Sequence, residues 1–278
     1  MEKIVVVGLG LIGGSIVKGL KDKSFDIYGI DHDEKVMQTC YQLDLIKNET
    51  ADMKHLKEAD VIFICLYPEA AVEFLRINQA SLKTGVVLTD VIGLKESVMT
   101  EINTFIRPDI CFIGGHPMAG KEGQGFKVSD EKIFNQSNYL LVINEKTPFT
   151  SVDKLKNIIL SLGCKHVEIL DAKKHDEIIA YTSHMPHILS TVFMNCDRFT
   201  NTKNCVAGSF RDMTRVSNIN ASLWSELIIE NKMPVLKEIK LFKMTLESIE
   251  DMIIENNINE IVRFLENAKE KKLSLGIL

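Results

Sequence analysis

The chain has 278 residues, 45% hydrophobic and 26% charged, with a net charge of −5 and a pI near 5.9. These are ordinary values for a folded protein and leave no room for a long disordered tract. At this length two domains are expected. No run of lysine and arginine is long enough to neutralise a phosphate backbone, which excludes nucleic acid as a partner.

The first element is the apolar run KIVVVG, which opens into GLGLIGGS. Its glycine-rich start lacks an A-x-A-like cleavage site and is not read as a targeting segment, so a cytoplasmic location is expected. Gly8, Gly10 and Gly13 instead form G-x-G-x-x-G between a strand and a helix. Glycine there permits a tight turn and close backbone approach to a pyrophosphate, and the first helical residues, Leu11 and Ile12, offer backbone N–H groups to the anion. The next strand, FDIYGID, ends in Asp31, 18 residues after Gly13. A carboxylate there binds ribose hydroxyls and repels the extra phosphate of NADP, so NAD is the expected cofactor.

Further apolar runs follow as ADVIFICL, GVVLTDV, DICFIGG, NYLLVIN and KHVEIL. Near-continuous runs alternating with helical patterns predict a doubly wound, mostly parallel Rossmann-type sheet over residues 1–171. Leu66, Tyr67 and Pro68, just beyond the third run, are expected to touch the cofactor, because ligands lie beyond the carboxyl ends of such strands. The same logic places His116, in GGHPMAGKEGQGF, on the cofactor side. An imidazole titrates close to neutral pH, which suits proton abstraction from an alcohol, although a histidine capping a turn beside Pro117 is an alternative.

After residue 171 the strand signals stop, and glycine thins out: 13 of the 16 glycines lie at or before Gly125. Residues 172–278 are expected to form an all-α domain. In HDEIIAYTSHMPH, His184 and His187 share a helix face while His175 points elsewhere, and no partner set completes a metal site. No metal is therefore expected, and the cluster reads as the lining of a pocket for an acidic substrate, with satisfied core histidines as the alternative. GSFRDMTRV supplies Arg211 and Arg215, four apart, with Asp212 placed to hold one guanidinium; an arginine fork grips a carboxylate. Trp224, the only tryptophan, follows in ASLWSEL. Leu236, Ile239, Phe242, Leu246, Ile249 and Ile253 recur every three or four residues, and Ile258, Ile261, Val262 and Leu265 mark a last helix. Such a stripe fits a bundle core or a dimer interface.

GLGLIGGS, TDVIGLK, GGHPMAGKEGQGF, HDEIIAYTSHMPH, GSFRDMTRV and ASLWSELIIEN, in this order, resemble the prephenate dehydrogenase family. The resemblance implies NAD-dependent oxidative decarboxylation of prephenate to 4-hydroxyphenylpyruvate in tyrosine synthesis, by a homodimer formed through the C-terminal helices, with no membrane partner. It also implies His116 as the catalytic histidine, Arg215 as a carboxylate anchor and His175 and His187 around the substrate. Glu122, Asp212 and Trp224 would form a polar network at the pocket mouth. Many members carry a serine where TDVIGLK has Gly93, also at the substrate, so that hydroxyl's role falls to something else here. Arogenate dehydrogenase is the neighbouring alternative, and an NAD-binding sensor without catalysis is a distant one.

Overall fold

A computed structural model describes residues 1–121 and 123–276. The chain divides into two units, Met1–Ile178 and the remainder from Ile179. In the first, β1 (Glu2–Val7), α1 (Leu11–Leu20), β2 (Phe25–Ile30), α2 (Glu34–Gln42), β3 (Val61–Ile64), α3 (Pro68–Asn78), β4 (Val87–Asp90) and α4 (Glu96–Phe105) alternate regularly. Then come β5 (Cys111–Pro117), β6 (Asn138–Val142), α5 (Phe149–Ser161), β7 (His166–Leu170) and α6 (Ala172–Ile179).

The seven strands form one sheet in the order β2-β1-β3-β4-β5-β6-β7, and β1 to β5 are all parallel where they pair. The seven apolar runs of the sequence are these seven strands. In β1, β3 and β4 the lack of alternation has a direct cause: successive side chains enter two different cores. Ile4 and Val6 pack with Ile16, Leu20 and Leu155 on one face, while Val5 and Val7 pack with Val72, Leu75 and Ile102 on the other. Each such side chain, fully buried, contributes roughly 1.5–3 kcal/mol.

β6 runs antiparallel to β5, with His116 opposite Leu140 and Pro117 opposite Tyr139. A parallel return needs a crossover of a dozen or more residues, usually helical. Between Pro117 and Asn138 the described residues form only two short 3-10 turns, Phe126–Val128 and Glu131–Phe134.

The described residues of the second unit form helices and the loops between them, with no strand. A π-helical turn, Ala180–His184, leads into α7 (Met185–Asn195), followed by α8 (Gly208–Thr214), α9 (Ala221–Glu230), α10 (Lys232–Ile254) and α11 (Ile258–Ser274). Pro186 lies in the first turn of α7, directly after the π-helical turn in a helical run unbroken from Ala172. The apolar stripe of α10 does form on one helix, but it is not a core of the chain. Leu236, Phe242, Leu246 and Ile253 are all exposed, and so are Ile258, Val262 and Leu265 of α11. No helix among the described residues is long and apolar enough to cross a membrane.

Candidate active site

Because β1 to β5 run in the same direction, their carboxyl ends share one edge of the sheet, and residues far apart in sequence meet there. The glycine loop follows β1. Gly8 has a φ of +86°, and a Cβ on it would lie 2.5 Å from the Cys65 carbonyl oxygen; a Cβ on Gly13 would lie 1.9 Å from the Gly8 oxygen. No side chain tolerates either position. Around Gly10, by contrast, a Cβ would meet no atom within 4 Å. Gly10 is also the N-cap of α1, which no side chain caps, so Leu11 and Ile12 begin a helix end open to an anion.

Asp31, just past β2, accepts the Leu9 N–H at 2.6 Å through one carboxylate oxygen and the Asp33 N–H at 2.9 Å through the other. It thereby braces the glycine loop, and the oxygen bonded to Leu9 retains a lone pair for a ribose hydroxyl. Leu66 packs toward Gly8, Tyr67 is exposed, and Pro68 begins α3. An open anion cradle, an uncapped helix end and a carboxylate one strand away fit a dinucleotide such as NAD.

His116 belongs to β5 itself and is half-buried. Its Nδ1 lies 3.0 Å from Nε2 of His175, whose Nδ1 lies 2.7 Å from the Asp176 carboxylate. The same carboxylate accepts the backbone N–H groups of Lys95 and Glu96, both at 2.9 Å, at the start of α4. His175, expected to line the substrate pocket, is instead a fully buried ring with both nitrogens engaged by protein groups. A Cβ added at Gly93 would lie 3.8 Å from Nε2 of His116. Position 93 therefore faces the outer nitrogen of this imidazole, where a serine hydroxyl would reach it.

Behind the histidine lies a buried ion pair that the sequence reading passed over. Lys95 donates through its ammonium to the Asp90 carboxylate and, at 2.7 Å, to the Ile92 carbonyl; both charged side chains are essentially without exposure. Burial pushes the Lys95 ammonium below its usual pKa against the pull of Asp90. Asp90 also accepts the N–H of Gly115 at 2.9 Å and that of Ile92 at 3.1 Å. The pair thus fastens the end of β4 to the residue preceding His116. A lone lysine in the apolar setting of TDVIGLK was the one available signal.

In the helical unit, the His187 ring stacks on Trp224 with centroids 3.7 Å apart and donates through Nδ1 to the Ser183 carbonyl at 2.8 Å. His184 is buried, its Nδ1 accepting from the Asn231 amide at 3.2 Å, and it meets Trp224 edge-on. It is a core histidine tying the π-helical turn to the start of α10. Arg211 lies on α8, whereas Arg215 falls in the 3-10 turn after it, and both are exposed. Asp212 is exposed as well, and among the described residues no ion pair joins it to either arginine, contrary to expectation. Glu122 lies outside the described residues. Among the described residues no cluster of histidine, cysteine and carboxylate side chains is placed to hold a metal ion.

A family model described as the nucleotide-binding domain of prephenate dehydrogenase matches residues 16–168, and one described as its dimerization domain matches residues 171–267. The prephenate dehydrogenase of Lactococcus lactis subsp. cremoris is 32% identical, over all of this chain and 78% of that one. Among solved structures, the arogenate dehydrogenase of Synechocystis is similar, with a TM-score of 0.88 and 24% identity, over 98% of this chain and 99% of that one. The prephenate dehydrogenase of A. aeolicus, solved with hydroxyphenyl propionate and NAD+, gives a TM-score of 0.85 at 23% identity, over 99% and 98%. Two matching domain models that between them span most of the sequence, and a relative of this identity along its whole length, place the chain in the prephenate dehydrogenase family.

Proposed function

We propose that the protein oxidatively decarboxylates prephenate to 4-hydroxyphenylpyruvate with NAD+. The observation that carries this reading is His116 at the carboxyl edge of the sheet, its ring held through Nδ1 and its Nε2 turned toward position 93, on the same edge as the glycine loop. When bound, NAD+ supplies the acceptor for the hydride that leaves the ring carbon bearing the hydroxyl. Gly8, Gly10, Leu11, Ile12 and Gly13 hold its pyrophosphate, Asp31 its ribose, and Leu66, Tyr67 and Pro68 border it. His116 takes the hydroxyl proton through Nε2 and returns it to the oxygen once loss of the ring carboxylate has made the ring aromatic. One positioned proton acceptor contributes about 10²–10⁴-fold, and aromatisation makes the step effectively irreversible.

Prephenate is a dianion and needs cationic anchors. Arg215 is the proposed anchor for one carboxylate, and His187, Trp224, Asp212 and Glu122 are the further residues proposed to serve the substrate. Replacing Arg215 by Ala is expected to weaken prephenate binding by about 10–100-fold, the value of a hydrogen bond to a charged group, with a smaller change in kcat. Steady-state kinetics check this; an unaltered KM moves the anchor to Arg211.

The function itself is tested by NADH formation with prephenate and with arogenate, at equal concentrations, using NAD+ or NADP+. Prephenate with NAD+ is expected to be fastest. Faster turnover of arogenate, the substrate named for the similar Synechocystis enzyme, would reverse the choice. Cofactor binding with no reduction of it on either substrate would leave a sensor. The exposed apolar faces of α10 and α11 support a homodimer formed through these helices, and the enzyme is proposed to work in the cytoplasm.

A further inference from the structure

We infer that Asp176 is a positioning residue for this reaction: through His175 it dictates which nitrogen of His116 carries the proton, and so makes Nε2 the base. The inference rests on the proposed role of His116. Two backbone N–H groups and one imidazole nitrogen converge on the Asp176 carboxylate, which accepts at each of these three contacts. His175 must therefore carry its proton on Nδ1 and, as a neutral ring, present a lone pair on Nε2. That lone pair faces Nδ1 of His116 at 3.0 Å, so His116 must in turn carry its proton on Nδ1. The basic lone pair of neutral His116 is then on Nε2, the nitrogen facing position 93.

When Nε2 takes the substrate's hydroxyl proton, the His116 imidazolium keeps its Nδ1–H bond to His175, and no proton need leave along the chain. The burial of His175 and Asp176 keeps water from offering the His175 ring another partner at these atoms. The arrangement is a selection of tautomer by a carboxylate placed two rings away from the reacting oxygen. Its logic is that of a carboxylate orienting a catalytic histidine, in which Asn substitution leaves the geometry in place and costs about 10⁴-fold in kcat.

Asp176 also caps the start of α4, so loss of activity in a variant would not by itself separate orientation from folding. The decisive measurement is the protonation pattern of the two rings in the unmodified protein. With ¹⁵N-labelled histidine, at about pH 8.5 where ordinary imidazoles are neutral, long-range ¹H–¹⁵N spectra assigned with H116N and H175N are expected to show both rings as Nδ1–H. A His116 protonated on Nε2 would overturn the inference without any Asp176 variant. In Asp176→Asn an amide can turn either its oxygen or its NH2 toward His175, so the pattern is no longer imposed. An Nε2–H fraction should then appear on His116, with kcat on prephenate lowered at least about tenfold and KM changed by less than about threefold. Unaltered tautomers together with unaltered kcat would also overturn it. Absence of turnover by the unmodified protein would instead be the failure of the functional reading, since the ring tautomers are read independently of activity.

Discussion

Replacing His116 by Asn is expected to lower kcat on prephenate by about 10²–10⁴-fold while leaving KM within about threefold. Asparagine can still offer an amide N–H near the position of Nδ1 and so preserve the bond to Nε2 of His175, which lies 3.0 Å away. What it lacks is a lone pair basic enough to accept the ring hydroxyl's proton as hydride departs. The loss corresponds to about 3–5 kcal/mol of transition-state stabilisation, at about 1.4 kcal/mol per factor of ten. Spectrophotometric measurement of NADH formation at saturating NAD+ checks it. A variant of full activity would mean that another group takes the proton. A large rise in KM with intact kcat would make His116 an anchor for the substrate.

The second large effect concerns stability. Lys95→Met should destabilise the first unit by about 3–5 kcal/mol, the usual cost of removing one partner of a buried ion pair. Asp90 would keep its bonds to the Gly115 and Ile92 N–H groups, but its charge would stand uncompensated in a site with almost no exposure. Net stabilities of domains lie at about 5–15 kcal/mol, so such a loss is a large share of the whole. Denaturant unfolding followed by far-UV circular dichroism is the suitable measurement, because the single tryptophan, Trp224, belongs to the helical unit and reports on that unit instead. The double variant Asp90→Asn with Lys95→Met should recover much of the loss, since it removes the orphaned charge. If Lys95→Met alone were neutral, the pair would contribute nothing that a packed methionine does not replace. Without the ammonium that holds the Asp90 carboxylate in place, Asp90 and the Gly115 bonded to it should shift together and misplace His116, so activity is expected to fall below what the folded fraction accounts for.

What could be read from the sequence followed from local physics. A strand covered on both faces must be apolar at nearly every position, which is why VVV, VIFI and LLV announced β1, β3 and β6. A helix that opens onto a pyrophosphate needs Gly8 and Gly13 for steric reasons set within a few residues, and a parallel sheet carries the group after each strand to one common edge. His116 was legible on that rule alone.

Other features depend on partners that no local pattern encodes. His175 reads as a pocket residue in HDEIIAYTSHMPH, yet its ring meets His116, 59 positions earlier, and the Asp176 beside it meets Lys95, 81 positions earlier. Asp176 looks like one more charge on an amphipathic helix until the fold brings α6 against the start of α4. The direction of β6 likewise followed from the absence of a crossover helix, not from its own residues. The stripe on α10 was visible as a helix face, but periodicity reports only that a face is apolar and not what covers it.

The sequence by itself determined the sheet, the glycine loop, the helical second half and the identity of the histidine at the sheet's edge, because each is dictated by neighbours within a turn or a strand. Only the tertiary structure decided that Asp90 with Lys95 fastens that histidine's strand and that Asp176 with His175 orients its ring. Hydrogen bonds and buried charges are satisfied by whichever groups the fold brings within about 3 Å, and that proximity comes from the packing of strands and helices that lie far apart along the chain.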